Sequence, residues 1–294
     1  MLRTLLRRVR RHGRSRESYS RSMTARARVG ISGWTYPGWR GDFYPDGLPQ
    51  RRELEYAAHR LDTIEINGSF YSLQRPTSYR KWAEQTPDGF VFAVKGGRFI
   101  THMRRLADPH ASLANFFASG ILALGERLGP VLWQLPPTLR FDADLAASFL
   151  AELPRTTEAA ARLAGDHDDK LSGDRVLAET DEDRPIRHAV EVRHESFADD
   201  AAREVFAEHD VALVVADTAG RYPKLFDVTA DFVYVRLHGD EELYASGYTD
   251  SALREWAGRI GAWTEAGLDV FAYFDNDMKG YAPHDAQRLA ELLT

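Results

Sequence analysis

Eight short runs of β-branched or apolar residues, with amphipathic patterns between them, most constrain what this chain can fold into. They are Val29 to Ser32, Thr63 to Ile66, Phe90 to Lys95, Val131 to Leu135, Ala189 to Val192, Ala212 to Ala216, Phe232 to Leu237 and Val270 to Phe274. Alternation of such runs with helical stretches marks βα units and a parallel sheet covered on both faces. Helical periodicity is clear at Ala111 to Leu128, Leu145 to Leu153, Ala201 to His209, Leu253 to Ala266 and Asp285 to Leu293, and recognisable at Arg51 to Arg60 and Thr77 to Gln85. It is faintest after the sixth run. Eight parallel strands in roughly 250 residues favour a single TIM-like (β/α)₈ barrel. A doubly wound sheet usually has fewer strands and opens on a glycine-rich turn that cradles phosphate. Here the first run leads into Gly33-Trp34-Thr35-Tyr36-Pro37-Gly38-Trp39, an aromatic loop.

Composition narrows the chemistry. The 294 residues contain no cysteine, which removes disulfides, thiolate nucleophiles, Cys-ligated zinc and iron–sulfur clusters. No apolar run approaches the roughly 18 residues needed to cross a bilayer, so no membrane association is expected. Residues 1 to 28 hold ten arginines against the single acidic residue Glu17, a local balance of +9, within a chain of net charge -6. The body is therefore acidic and the tail basic. The tail lacks the apolar centre of a secretory signal, so a cytoplasmic location is expected. It reads as a disordered basic segment, domain 1–28, ahead of a barrel domain, 29–294; Met23 offers a second translation start. A polar stretch, 154–187, with nine acidic and six basic residues, breaks all periodicity and is expected to be a mobile insertion.

In a barrel, the C-terminal ends of the strands converge on one mouth, where active sites of this architecture lie. The runs end in Glu65-Ile66-Asn67, Lys95, Gln134, Glu191-Val192-Arg193-His194-Glu195, Asp217, Arg236-Leu237-His238 and Asp275-Asn276-Asp277. Period-two alternation places Glu65 with Asn67, Glu191 with Arg193, and Arg236 with His238 on one side of their strands. The candidate catalytic residues are Glu65, Glu191, His194, Asp217 and His238, which can act as acids, bases or metal ligands. Lys95, Arg193 and Arg236 repel a divalent cation and suit a phosphate or carboxylate, to which arginine offers a two-pronged fork. No metal and no cofactor is expected. Paired charges at strand ends can also be purely structural, Glu191 with Arg193 or Lys95 with Glu65. Trp34, Tyr71, Tyr244 and Tyr248 offer rings for stacking on a ligand, and Asn67, Gln134 and Asn276 add polar contacts. Phe43 and Phe70 fit better as loop packing.

The order of short motifs resembles one family. Gly33-Trp34, Trp39, Phe43-Tyr44-Pro45, Glu65-Ile66-Asn67 with Phe70-Tyr71, Trp82 with Thr86-Pro87, Lys95, Thr101-His102, Leu128-Gly129-Pro130, Gln134-Leu135-Pro136-Pro137, Glu191-Val192-Arg193-His194, Asp217, Arg236-Leu237-His238-Gly239 and Phe274-Asp275-Asn276 are similar to the YecE-like proteins, domain of unknown function seventy-two. The resemblance runs from about Val29 to the C-terminus. It implies a TIM barrel with a conserved polar mouth, no established activity, and a distant likeness to metal-dependent phosphodiesterase and sugar-isomerase barrels. Two features depart from the pattern: Asp275 stands where the closing motif usually has asparagine, and the polar insertion and basic tail are extra.

The expectation is thus a cytoplasmic barrel that binds a small anionic ligand, phosphorylated or sugar-containing, and acts on it as a hydrolase or lyase. Glu191 and His238 would be acid–base partners, Glu65 a second carboxylate, and Lys95, Arg193 and Arg236 anion clamps. One rival is a metal-dependent phosphodiesterase or nuclease with Glu65, Glu191, Asp217, His194 and His238 as ligands. Another is a non-catalytic nucleic-acid-binding protein using the basic tail and rim aromatics, which the acidic body disfavours.

Overall fold

A computed structural model describes residues 25 to 294. Expectations for the arginine-rich tail before Ala25 lie outside the described residues. The barrel strand begins at Ala27, two residues earlier than the sequence predicts, with Arg26 paired to Asp62 across the barrel's N-terminal rim at 3.0 Å.

All eight predicted runs become strands. They are β1 (Ala27–Ser32), β2 (Thr63–Ile66), β3 (Val91–Lys95), β4 (Leu128–Gln134), β5 (His188–Glu191), β6 (Ala212–Leu213), β7 (Val215–Asp217), β8 (Phe232–Leu237) and β9 (Asp269–Phe274). The sixth run is split into β6 and β7. Its first piece pairs with β5 and its second with β8, and the Val214 amide between them still donates to the Val190 carbonyl at 3.0 Å. Every pairing is parallel, in the order β6-β5-β4-β3-β2-β1-β9-β8-β7. Because β6 and β7 are separated by one residue, the sheet is a nearly closed barrel of the TIM type.

Alternation sorts the side chains into two layers. On β8, Phe232, Tyr234 and Arg236 point into the barrel with Phe271 and Tyr273 of β9, while Val233, Val235 and Leu237 face the surrounding helices. Small residues on neighbouring strands, Gly30, Ala93, Ala189, Ala212 and Ala216, leave room for these rings. Gly30 is required: a Cβ there would stand 1.8 Å from the Thr63 carbonyl oxygen.

The helices are α1 (Glu53–Ala58), α2 (Gly68–Tyr71), α3 (Pro76–Glu84), α4 (His110–Ala118), α5 (Ala143–Ala151), α6 (Thr157–Ala164), α7 (Asp200–Glu208), α8 (Asp250–Glu265) and α9 (Tyr281–Leu292). Between β7 and β8, where periodicity is faintest, the described chain forms no helix. The predicted Ala111 to Leu128 helix stops at Ala118, because Gly120 turns left-handed (φ 111°) beside Pro76, and resumes as a 3₁₀ stretch, Ile121–Arg127.

The polar stretch 154–187 differs from expectation in carrying α6. Thr156 caps it by accepting from the Ala159 amide, and Thr157 ties it to the returning chain by donating to the Glu182 carbonyl at 2.6 Å. Its buried face consists of Thr157, Ala160 and Ala164. Alanine contributes little hydrophobic contrast, so the acidic flanks masked the helical period.

One buried polar contact anchors the outer layer of β5. His188 accepts from the Trp133 indole at 3.2 Å and donates through Nε2 to the Pro154 carbonyl at 2.8 Å. Burial lowers its pKa to about 3. The unfolded chain binds a proton near pH 6.5 and the folded one does not. Stability from this residue is therefore present above pH 6.5 and falls by about 1.4 kcal/mol per pH unit below it, until the folded pKa is reached. Urea unfolding between pH 7 and pH 4 should show a shallower pH dependence for His188→Gln than for the parent; parallel profiles would refute this assignment.

Candidate functional site

Arg236, the last inward residue of β8, is fully buried at the C-terminal end of the barrel. A guanidinium there requires compensation, since an unpaired buried charge costs several kcal/mol. Three carboxylates supply it. Nη2 donates to Glu65 Oε1 at 2.8 Å and to Asp275 Oδ2 at 2.9 Å, Nε donates to Glu65 Oε2 at 3.1 Å, and Nη1 donates to Glu191 Oε2 at 2.6 Å. Ser32 Oγ accepts a further bond from Nη2 at 3.0 Å, and Gln134 Oε1 lies 3.5 Å from Nη1. Parallel register brings these groups to one level: Ser32 is beside Glu65 and Gln134 beside Glu191. Ser32 and Tyr234 also donate to Glu65, the latter at 2.7 Å.

This geometry corrects one expectation. The sequence suggests Arg236 as an anion clamp, but four of its five N–H groups face carboxylates and the second on Nη1 faces Gln134 Oε1 and His238 Nε2 at 3.5 Å, so all of its donors are turned to the protein. Its pKa is driven far up, burial being overcome by Asp275, Glu65 and Glu191. The same pairing bears on Glu191. Burial alone would raise its pKa, yet Arg193 and Arg236 hold it well below the carboxylate range. A carboxyl group held ionised in this way is a poor proton donor and a weak base. His238, two residues beyond Arg236, is also fully buried. Its Nδ1 lies 3.0 Å from Asp275 Oδ2 but off the line of a hydrogen bond, and the Tyr244 ring stands edge-on to it at 5.2 Å.

The other two cations are placed differently. Arg193 donates through Nε to Glu191 at 2.7 Å and through Nη2 to the Tyr244 hydroxyl at 3.1 Å, while its Nη1 has no hydrogen-bond partner among the described residues. Lys95 ends β3, two residues beyond the interior Ala93. It is 8% exposed and its side chain makes no ion pair or hydrogen bond among the described residues; its ammonium lies 4.7 Å from the centre of the Phe70 ring. Ser69 pins its backbone by donating to the Lys95 carbonyl at 2.6 Å. Burial and then Arg236 lower the Lys95 pKa to about 8, more than Glu65, Asp275 and Glu191 raise it.

Several sequence-predicted residues lie elsewhere. Trp34 turns to the outer layer, edge-on to Trp82 at 5.3 Å. Tyr248 and Asn276 brace the loops after β8 and β9: the Tyr248 hydroxyl accepts from the Gly239 amide, and Asn276 donates to Asp285 and to the Ser246 carbonyl. Tyr71, 71% exposed, lines a separate apolar cavity of about 430 Å³ with Phe70, Phe99 and Ile100. Asn67 donates to Ser32 at 2.9 Å, beside the network. The five residues weighed as metal ligands do not converge. Asp217 pairs with Lys224 at 2.6 Å, His194 caps its own turn through Ser196, and Glu65 and Glu191 face Arg236. Among the described residues no three His, Asp or Glu side chains are grouped to hold a metal ion.

The residues the sequence reading passed over include Ser32, Tyr234 and Asp275. Alternation identifies all three: each lies an even number of residues from an interior position, Gly30, Phe232 and Tyr273. His102 has no such signal, because it lies on a π-helical turn, Phe99–Met103, rather than at a strand end. Its ring packs on Phe70 at 5.2 Å and its Nδ1 lies 2.9 Å from Thr101 Oγ1. Burial, then Arg193, Lys95 and Arg98, lower its pKa below the usual imidazole value.

Comparison with known proteins agrees with the motif order. A family model described as "Protein of unknown function DUF72" matches residues 28–294. The UPF0759 protein YunF of Bacillus subtilis is 28% identical over 114 residues, 37% of this chain and 39% of that protein. The UPF0759 protein YecE of Escherichia coli K12 is 31% identical over 110 residues, 37% of this chain and 38% of that one. The matched region thus spans about two-fifths of these curated relatives. Among solved structures, a DUF72 family protein of Thermotoga maritima is similar with a TM-score of 0.72 at 23% identity, covering 91% of this chain and 99% of that one. One from Enterococcus faecalis has a TM-score of 0.68 at 16% identity, covering 91% and 95%. These two likenesses concern the fold. Among the described residues no helix is long and apolar enough to cross a membrane.

The network predicts a large cost for removing its centre. Arg236→Met leaves Glu65, Glu191 and Asp275 facing one another without their shared partner, and stability should fall by about 3–5 kcal/mol. Guanidinium unfolding of the variant against the parent measures this. A change under about 1 kcal/mol would mean that the carboxylates do not depend on Arg236.

Proposed function

The chain belongs to the DUF72 family, and we propose that this member binds a small anionic ligand, of the phosphorylated or sugar-derived kind, at the C-terminal mouth of its barrel, and acts on it there. The observation that carries this reading is the unpaired state of Lys95. The three carboxylates of the network all contact Arg236, and Glu191 also holds Arg193. Lys95 is left as a buried cation with no carboxylate partner, and burying such a charge is unfavourable unless something completes it. Nearby, Arg193 keeps Nη1 unused. Burial first, and then Arg193, Lys95 and Arg98, disfavour the charged form of His102. Lys95, Arg193 and Arg236 equal Glu65, Glu191 and Asp275 in number, but the carboxylates are bonded to the two arginines, so the Lys95 ammonium and Arg193 Nη1 are the donors left open here, which supports an anion as occupant even though the body of the protein is acidic.

The two arginines therefore divide the work. Arg236 holds the carboxylates in place, and Arg193 and Lys95 meet the ligand. Lys95 supplies a point charge, while Arg193, fixed by Glu191 and Tyr244, supplies oriented donors without further ordering cost. A charge-assisted hydrogen bond in such a setting contributes roughly 1.5–3 kcal/mol.

Sulfate, which keeps one charge state across the relevant range, tests this. Calorimetric titration should detect binding to the parent, weakened at least about tenfold in Lys95→Met and in Arg193→Gln, since a loss of about 1.4 kcal/mol is tenfold in affinity. Arg259→Gln should bind as the parent does, because Arg259 is exposed on α8 and paired with Glu255. Lys95 carries its charge below a pKa of about 8, so affinity should decline as pH rises through that value. Equal affinities in all four proteins, or no binding to the parent, would defeat the proposal.

A further inference from the structure

We infer that Lys95 is an amine nucleophile that condenses with the carbonyl group of its anionic ligand, so that the ligand class is a small carbonyl compound bearing a carboxylate or a phosphate. The inference rests on the reading of the mouth as an anion site and goes one step past it.

The geometry separates Lys95 from a structural lysine. A buried structural lysine has a carboxylate or carbonyl partner for its ammonium. Lys95 has neither among the described residues and lies against the face of Phe70. The ring borders its ammonium without accepting a localised hydrogen bond, so the nitrogen lone pair is not committed when the proton leaves. Lysines become nucleophilic when they are desolvated beside another cation. Burial supplies the larger part of this here and Arg236 adds to it, against Glu65, Asp275 and Glu191. Near pH 7 a lysine of pKa about 8 is uncharged about two orders of magnitude more often than an exposed one.

Two neighbours suit the remaining steps. Arg193 Nη1 is free to hold the anionic group and thereby fix the carbonyl. His102 has its Nδ1 against Thr101 and no hydrogen-bond partner on Nε2 among the described residues. Its lowered pKa leaves it neutral at pH 7, able to take and return a proton.

The uncharged Lys95 Nζ adds to the carbonyl carbon, forming the C–N bond as the π electrons move to oxygen. That oxygen takes up a proton from water, the one proton the condensation consumes overall, and the nitrogen of the carbinolamine loses one to His102. His102 then returns this proton to the hydroxyl, which leaves as water while the nitrogen lone pair closes the C=N bond. The product is an iminium ion, and one water is released overall. An iminium accepts the electron pair of an adjacent C–C or C–H bond, the chemistry of a lyase.

Trapping tests the inference on the intact protein. With sodium cyanoborohydride as reductant, separate incubations with pyruvate and with dihydroxyacetone phosphate, followed by peptide mapping, report which lysines carry a reduced adduct. Labelling of Lys95 at least tenfold faster than of the exposed Lys81, with one of the two compounds, is expected, and the preferred one identifies carboxylate or phosphate as the anion. Excess sulfate should suppress it, and labelling should slow as pH falls below 8. Lys95→Met should remove the adduct while circular dichroism stays unchanged. If sulfate binds in a Lys95-dependent way but neither carbonyl compound labels Lys95 above Lys81, the amine role is overturned and the anion site stands. If sulfate does not bind and Lys95 is not labelled, both fall.

Discussion

One guanidinium organises this barrel's mouth. Arg236 is fully buried and reaches carboxylates from β2, β5 and the end of β9, so strands far apart in sequence are tied at a single level. The low-dielectric interior strengthens each contact, and makes any unpaired member costly. Much of the local sequence follows from this one requirement. Gly30 and the interior alanines make room for Tyr234 and Tyr273 below it, Ser32 and Tyr234 complete the hydrogen bonding of Glu65, and Gln134 borders its remaining side. Asp275 adds a full negative charge to the set and lies beside His238.

The consequence for function is a division among cations that look equivalent in sequence. Arg236 is saturated, Arg193 half engaged, and Lys95 free of polar partners among the described residues. Because Arg236 draws the carboxylates to itself, Lys95 has none as a direct partner, and burial, with a smaller push from Arg236, leaves its proton held weakly against the pull of Glu65, Asp275 and Glu191. In the proposed reading the network leaves Lys95 and Arg193 open to a ligand that Arg236 itself does not touch. The nearby 430 Å³ cavity is bounded by Phe70, whose ring also meets Lys95, so one aromatic separates the apolar space from the charged one.

Strand count and inward-facing pairs were legible because a parallel barrel writes them in a period of two. On β8 the alternation of Phe232, Tyr234 and Arg236 with Val233, Val235 and Leu237 is unbroken, and the same parity on β9 picks Asp275 rather than Asn276. What the pattern could not convey is saturation: whether an arginine is spent on carboxylates depends on register among strands distant in sequence. His102 stands in the motif order, but its place beside the mouth was not legible, since a π-helical turn has no periodic signature at five residues. The helix α6 was hidden by alanine, and the break at Val214 by a run that stays apolar across it.

The account turns on the protonation of one side chain. With ¹³C label at the lysine ε carbon, the NMR shift of Lys95, assigned by its loss in Lys95→Met, can be followed from pH 6 to pH 11. A midpoint near 8 that moves upward on adding sulfate is predicted, because an anion favours the charged amine. A midpoint near the ordinary lysine value of about 10.4, unmoved by sulfate, would contradict the account.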